Sequence, residues 1–418
     1  MVLGSGFSRA ICDAMPTLDE LRELVLEDLR VRRRARVTGH ELDKFGGNLE
    51  KWMSFLATDQ PWLSDAENLS NRSLFESVSE SLASCIARAE NSTVSTRIPD
   101  WLIRLVWTWC EAGVPVLTFN YDTLIERTIA HLQRVQTFAD VYAAPLMERI
   151  AAGDGAVAGA EEPSGPILEL YKLHGSTNWA FGGLSAPPND RIVLTDPFLS
   201  WGPRPILAQK PPTRYRSRFA DLTPLIIPPT FSKGPYFSNL ALRAQWAEAA
   251  NALAHATNLT VMGYSFPAGD IVARQWVETS FMGHQMDIVD YSGDRPKQIR
   301  SSLTGARQGR DYIGENAVKD YVDDTCGPLV RWNLKEADTS GDLTVELWVN
   351  GEDVVAPIPI NERPWGKDYR AAQKWVHERV AVAAPNVDIN RAVSVGGMSA
   401  TYDHRFVVLP RGSKLTWW

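Results

Sequence analysis

Residues 114–123 read Val-Pro-Val-Leu-Thr-Phe-Asn-Tyr-Asp-Thr. Val114–Thr118 is apolar and β-branched, bounded by Gly113 before and Asn120 after, which predicts a buried strand. A helix is predicted to open near Thr123, so the amide of Asn120 and the carboxylate of Asp122 fall in the turn between the two. Working outward, the same pattern of strand, polar turn and helix recurs. Leu168–Leu173 leads into His174-Gly175-Ser176, and Leu259–Met262 leads into Gly263-Tyr264-Ser265, with a helix from about Asp270. Met1–Leu3 runs straight into Gly4-Ser5-Gly6-Phe7-Ser8, and a strand at Met286–Val289 stops before Asp290. Strands alternating with helices define an α/β fold built on a doubly wound parallel sheet. Ligands of such sheets bind beyond the carboxyl ends of the strands, where all these polar turns fall.

Between the turns the chain reads mostly as helix. Leu18, Leu21, Leu24, Val25 and Leu29 form one apolar face, and residues 44–97 are helical with a break near Pro61. Trp52, Phe55, Leu56 and Trp62 are its expected core, and Trp101–Cys110 reads as a further buried helix. Asn239–Ala256 is amphipathic. Residues 151–165 lack pattern and read as a mobile loop, while 187–229 is Pro-rich and irregular. After about Val330 the texture changes: Leu343–Val349 and Val354–Ile360 alternate like strands, Tyr369–Val382 reads as helix and Phe406–Leu409 as strand. The expected organisation is a first domain over 1–330, with a helical insertion at about 38–100, and a small α+β region over 331–418.

A chain of 418 residues with 44% apolar and 22% charged side chains can bury a core without staples. Its net charge of −7 argues against a general grip on nucleic acid, and the basic run Arg32, Arg33, Arg34 and Arg36 reads as a solvated helix face. Cys12, Cys85, Cys110 and Cys326 form no C-x-x-C pair, so no structural zinc site and no metal is expected. Four scattered thiols suit a reducing compartment, and no long apolar run appears, so the reading is cytoplasmic with no membrane span.

The turns carry distinct chemistry. Gly4-Ser5-Gly6 lets backbone approach a pyrophosphate, although Arg9 stands where the usual dinucleotide fingerprint has its third glycine. An uncharged amide such as Asn120 can hold a ribose hydroxyl or a water, and Asp122 reads first as the cap of the following helix. His174, flanked by Gly175 and Ser176, has the near-neutral side chain expected of a general base. Gly263 and Ser265 suit ribose or phosphate contacts, and Asp290 suits the adenosine ribose.

In order and setting, Gly4-Ser5-Gly6-Phe7-Ser8, Thr118-Phe119-Asn120-Tyr121-Asp122, Leu173-His174-Gly175-Ser176 and Gly263-Tyr264-Ser265 resemble the sirtuin superfamily. The similarity is closer to its prokaryotic sirtuin-like branch, linked to NAD depletion in anti-phage defence, and Leu225–Lys233 (LIIPPTFSK) looks familiar from that branch. The resemblance spans roughly residues 1–325. It implies a Rossmann-like NAD domain with a helical insertion, in which NAD is substrate. Gly4, Gly6 and Ser8 would line the pyrophosphate, Asn120 and Asp122 the nicotinamide ribose, and Gly263 and Ser265 the adenosine side, with His174 as catalytic base. Deacylases of the superfamily carry a zinc ribbon of two thiolate pairs and a glutamine where Phe119 stands, so both departures favour hydrolysis to ADP-ribose and nicotinamide. Deacylation, ADP-ribosyl transfer and non-catalytic ADP-ribose binding are the alternatives. An enzyme that consumes NAD must be restrained, for which the C-terminal tail or an oligomer contact is expected, and a homo-oligomer or a defence-system partner protein is an expected partner.

The strand before Gly4 is expected to be central and about five residues long. Only Met1, Val2 and Leu3 precede that turn, so the expectation is a natural start several residues upstream or a stunted strand.

Overall fold

Val2 and Leu3 are the whole of the first strand, and both are fully buried between two parallel neighbours. Around them lies the first of two units into which the chain divides, residues 1–97, 113–127 and 135–318. Its strands are β1 (Val2–Leu3), β2 (Val116–Thr118), β3 (Leu170–Lys172), β4 (Gly175–Gly182), β5 (Val193–Leu194), β6 (Leu222–Ile226), β7 (Asn258–Met262), β8 (Gln285–Asp290) and β9 (Asp311–Ile313). The structure, a computed structural model, describes residues 1–31, 42–132, 141–142, 168–182, 193–194, 201, 222–231, 233, 236–237, 239–267, 269–303, 308–336, 343–350, 352–353, 365–387, 393–395 and 404–415. The loop expected at 151–165, the strand expected at Val354–Ile360 and the basic run after Val31 lie outside these residues.

Six strands form one parallel sheet in the order β3-β2-β1-β7-β8-β9. Taken in chain order this is 3-2-1-4-5-6, the Rossmann-like doubly wound arrangement, flanked by helices. The direction of winding reverses between β1 and β7, the place where such sheets open a crevice. The strands read as continuous apolar runs because both faces are covered: Val2, Leu117, Leu259, Val261 and Ile288 pack with Ala249, Leu253 and Val277 in one core. The remaining strands form a small sheet, β5-β4-β6, in which β4 is antiparallel to both neighbours. Part of the stretch read as irregular, Leu222–Ile226, is therefore strand β6.

Among the described residues of this unit, the helices α1 (Ser5–Ile11), α2 (Leu18–Val31), α3 (Leu49–Ala57) and α4 (Asp65–Thr93) lie between β1 and β2. Asn48 caps α3 through the Lys51 N–H, and Ser64 with Glu67 makes a capping box on α4. Trp52, Met53 and Leu56 of α3 are buried, as are Leu82, Cys85 and Ile86 of α4. Two expected core residues are not core. Trp62 is 71% exposed, because the chain turns at Pro61 and Ser64 starts a new helix, and Leu24 is 43% exposed, off the stripe formed by Leu21, Val25 and Leu29. Phe55 is half-buried against Phe45, with ring centroids 5.1 Å apart.

The second unit comprises residues 98–112, 128–134 and 319–418, so the division expected near 330 falls at 318/319 and helix Asp100–Ala112 belongs with the later residues. Its sheet contains β10 (Leu329–Glu336), β11 (Leu343–Val349), β12 (Glu352–Asp353), β13 (Val393–Val395) and β14 (His404–Val408), in the order β12-β11-β10-β14-β13, with antiparallel pairing throughout. Helix Tyr369–Ala383 covers it through Ala372, Val376 and Val380, packed with Trp332, Leu334, Val345 and Trp365. Within this unit Arg331 pairs with Asp100 at 2.7 Å and Arg104 with Asp323 at 2.5 Å. Among the described residues no helix is long and apolar enough to cross a membrane.

Candidate active site

Beyond the carboxyl ends of β1, β2 and β7 lies a cavity of about 170 Å³. Its walls come from segments far apart in the chain: Gly4, Ser5 and Ser8; Glu50; Phe119–Asp122; His174; Lys233; and Gly263–Ser265 with Asp270. The four motif-bearing turns read in the sequence therefore meet around one space. Two of them also touch each other. The Gly6 N–H donates to the Gly263 carbonyl (3.0 Å), and Gly263 has φ +63° with no room for a Cβ, which would stand 2.3 Å from the Phe7 nitrogen.

The turn after β2 is tied to the turn after β1 by side chains. Asn120 Nδ2 donates to the Gly4 carbonyl (2.8 Å) and to Ser8 Oγ (2.9 Å), and Ser8 Oγ donates to Asp122 Oδ2 (2.6 Å). Among the described residues nothing donates to Asn120 Oδ1. Asp122 Oδ1 accepts the Leu124 N–H at 3.2 Å, so the capping role and the contact with Ser8 coexist in one carboxylate. Burial pushes the Asp122 carboxyl up to about 6, against the opposing pull of Lys172 and Ser8.

Beneath this turn is a floor of buried charges paired with one another. Lys172 Nζ donates to the Asp122 carbonyl and to Glu126 Oε1 (2.9 Å), and Tyr142 donates to the same Glu126 oxygen (3.1 Å). Glu90 of α4 receives the Arg127 guanidinium (2.7 Å) and the hydroxyls of Thr123 and Thr177.

His174 is set by the bend between β3 and β4. Gly175 has φ +80°, and a Cβ there would stand 2.1 Å from the Leu225 carbonyl oxygen, so the histidine can be followed by glycine only. Its ring meets Phe119 edge-on, centroids 4.9 Å apart, while Phe119 stacks on Tyr264 at 4.2 Å. His174 Nε2 faces Lys233 Nζ at 3.3 Å and Asp270 Oδ2 at 3.5 Å. Asp270 in turn pairs with Lys233 at 2.7 Å and accepts the Tyr264 hydroxyl at 2.6 Å. Burial and the Lys233 charge drive the His174 imidazolium down to about 3, outweighing Asp270, so the ring is neutral in the physiological range and a weak proton acceptor. Burial alone would raise the Asp270 carboxyl, but Lys233 and the Tyr264 hydroxyl hold it below the usual carboxylate range.

Of the residues singled out in the sequence, Gly4, Ser5, Ser8, Asn120, Asp122, His174, Gly263 and Ser265 line the cavity. Three do not. Gly6 lies behind it, bonded to Gly263; Phe7 is a core side chain; and Asp290, at the end of β8, accepts the Ser292 N–H (2.9 Å) with Arg295 at 3.8 Å. Lys233, Tyr264, Asp270 and Glu50 were not singled out. Lys233 closes the LIIPPTFSK stretch and Asp270 opens a helix, but neither position alone signals an ion pair with a residue tens of positions away. No family model matches this chain, and no curated protein resembles it significantly.

Proposed function

We propose that this protein binds NAD and hydrolyses the bond between its nicotinamide and ribose, releasing nicotinamide and ADP-ribose. The observation that carries the reading is the convergence of the four strand-end turns, including Asn120 and His174, on one cavity at the switch point of a doubly wound sheet. Dinucleotides are the ligands such switch points are built for, and the sirtuin-like order of the motifs points to NAD. The cavity, open to solvent on one side, has a volume of about 170 Å³, below the roughly 300–1,000 Å³ of sites that engulf a drug-sized ligand, so it suits the reactive end of a dinucleotide rather than the whole.

The nicotinamide of NAD is a pyridinium cation and leaves as a neutral base, so no general acid is required. The protein must stabilise a cationic ribose and position a water. Asp270, fixed as a carboxylate by Lys233 and Tyr264, supplies negative charge near that centre. The unengaged Oδ1 of Asn120 orients the water or the ribose diol, while its Nδ2 is anchored on Gly4 and Ser8. His174 offers a neutral imidazole whose charge is constant through turnover. Depletion of NAD in anti-phage defence, under restraint by the C-terminal tail or an oligomer contact, is the biological role proposed from the same resemblance.

Incubation of the full chain with NAD, with chromatographic measurement of nicotinamide, tests the reading. Asn120→Ala and His174→Ala should each lower turnover about a hundredfold, with the thermal unfolding profile retained. Wild-type turnover in either variant refutes the assignment. Nicotinamide release only when an acyl-lysine peptide is added makes the protein a deacylase.

A further inference from the structure

Addition of water to the ribose carbon releases a proton, and most groups around the cavity are ill-suited to take it. Lys233 is a cation. Asp270 is bound by Lys233 and Tyr264, His174 faces Lys233 at 3.3 Å, and Asp122 is engaged by Ser8 and the Leu124 N–H.

Glu50 differs from all of them. It is carried by α3 of the helical insertion, lines the cavity, and is 8% exposed. Among the described residues, nothing hydrogen-bonds to its carboxylate. A buried carboxylate without donors is costly, and native structures usually provide partners unless the group has work to do on a ligand. Its position is nonetheless well determined. Ser54 Oγ donates to the Glu50 carbonyl (2.6 Å) and accepts the Phe231 N–H (2.8 Å), which holds α3 against the segment that delivers Lys233. Buried Leu49, Trp52, Met53 and Leu56 anchor the helix, and Gly269 leaves the carboxylate its space, since a Cβ there would stand 2.3 Å from Oε1.

We infer that Glu50 is a catalytic residue for NAD cleavage, the acceptor of the proton from the attacking water; this rests on the NAD-hydrolase reading. The water oxygen bonds to the ribose C1′ as the C1′–N bond breaks, and that bonding pair returns to the nicotinamide ring nitrogen, which becomes neutral. The water proton passes to Glu50, which becomes a carboxylic acid and later yields the proton to solvent. The groups that act on Glu50 suit the task. Burial raises its pKa, Asp270 adds to the rise and Lys233 opposes it, while the hydroxyls of Tyr121 and Tyr264 are coupled to it and stay neutral. Activity should therefore rise with pH through a midpoint above 4.5, the ordinary value for this carboxyl, whereas a limb due to His174 would lie near 3.

The full-length wild type, Glu50→Gln and Glu50→Ala are compared by nicotinamide release across pH, ADP-ribose affinity by calorimetry, and thermal unfolding. The expected result for Glu50→Gln is a kcat lower by about a hundredfold or more, loss of the acid limb and an ADP-ribose Kd unchanged within a factor of about 3. Added formate should restore part of the activity of Glu50→Ala, which a purely structural role does not allow. A near-wild-type kcat in Glu50→Gln overturns the proposal. So does a wild-type profile that stays flat from pH 4.5 to neutrality, a measurement that requires no variant to fold. Wild type that binds ADP-ribose but releases no nicotinamide refutes the hydrolase reading and this proposal together, whereas an active wild type beside an indifferent Glu50→Gln refutes the Glu50 role alone.

Discussion

Glu90 and Glu50 are both buried carboxylates on helices of the same insertion, and they differ in how completely they are partnered. Glu90 sits in the floor of the site and receives a guanidinium and two hydroxyls. Glu50 faces the cavity and, among the described residues, receives none. The floor thus behaves as framework: its charges are neutralised inside the protein, and they fix the Phe119–Asp122 turn from below. Around the cavity the accounting is left open at Glu50 and at Asn120 Oδ1, as expected where a ligand completes it. Burial by itself does not separate the two regions; the availability of partners does.

The comparison breaks if the floor is dispensable. Glu90→Ala leaves Arg127 buried without this carboxylate and should cost about 3–5 kcal/mol, read by urea denaturation; a loss below about 1 kcal/mol would show that the floor is no tighter than a surface pair. His174 provides a smaller, pH-dependent effect. Its folded pKa of about 3 lies below the unfolded 6.5, so the native state binds fewer protons in that window. Stability is then full above pH 6.5 and declines as pH falls towards 3, with a slope approaching about 1.4 kcal/mol per pH unit. His174→Gln should remove that component, while His131 in the second unit, depressed by burial to about 4, continues to contribute in the same direction. An unchanged slope in His174→Gln excludes the buried neutral imidazole. The smallest effect is expected from Glu50→Gln, whose stability should lie within about 1 kcal/mol of wild type or above it, because an unpartnered charge is removed. Because the folded pKa of Glu50 is raised, wild type loses stability as pH rises above 4.5, and the variant should lack that loss. A large destabilisation at neutral pH would assign Glu50 to the framework instead.

Much of the site was legible because its glycines and polar residues stand at the ends of apolar strands. Gly4, Asn120, His174 and Gly263 could be picked out one by one from local pattern, and Asp122 could be read as a cap. Asp290 obeyed the same rule, yet it lies on β8, away from the reversal point, and is occupied by Ser292 and Arg295. Strand ends are visible in sequence; which of them adjoin the crevice depends on strand order. Trp62 and Leu24 show the complementary limit, since a helical period does not say where one helix stops or which flank of a stripe faces water.

By itself, then, the sequence determined the alternation of strands and helices, the polar turns between them and the α/β class, because hydrophobic period and glycine placement act over a few residues. Tertiary structure alone decided which charges meet. Lys233 and Asp270 meet His174, and Glu90 meets Arg127, across 37 to 96 residues of sequence, and Glu50 is brought to face the cavity. The physical reason is that a side chain's burial, its partners and hence its pKa are properties of the space around it, and that space is assembled by the sheet.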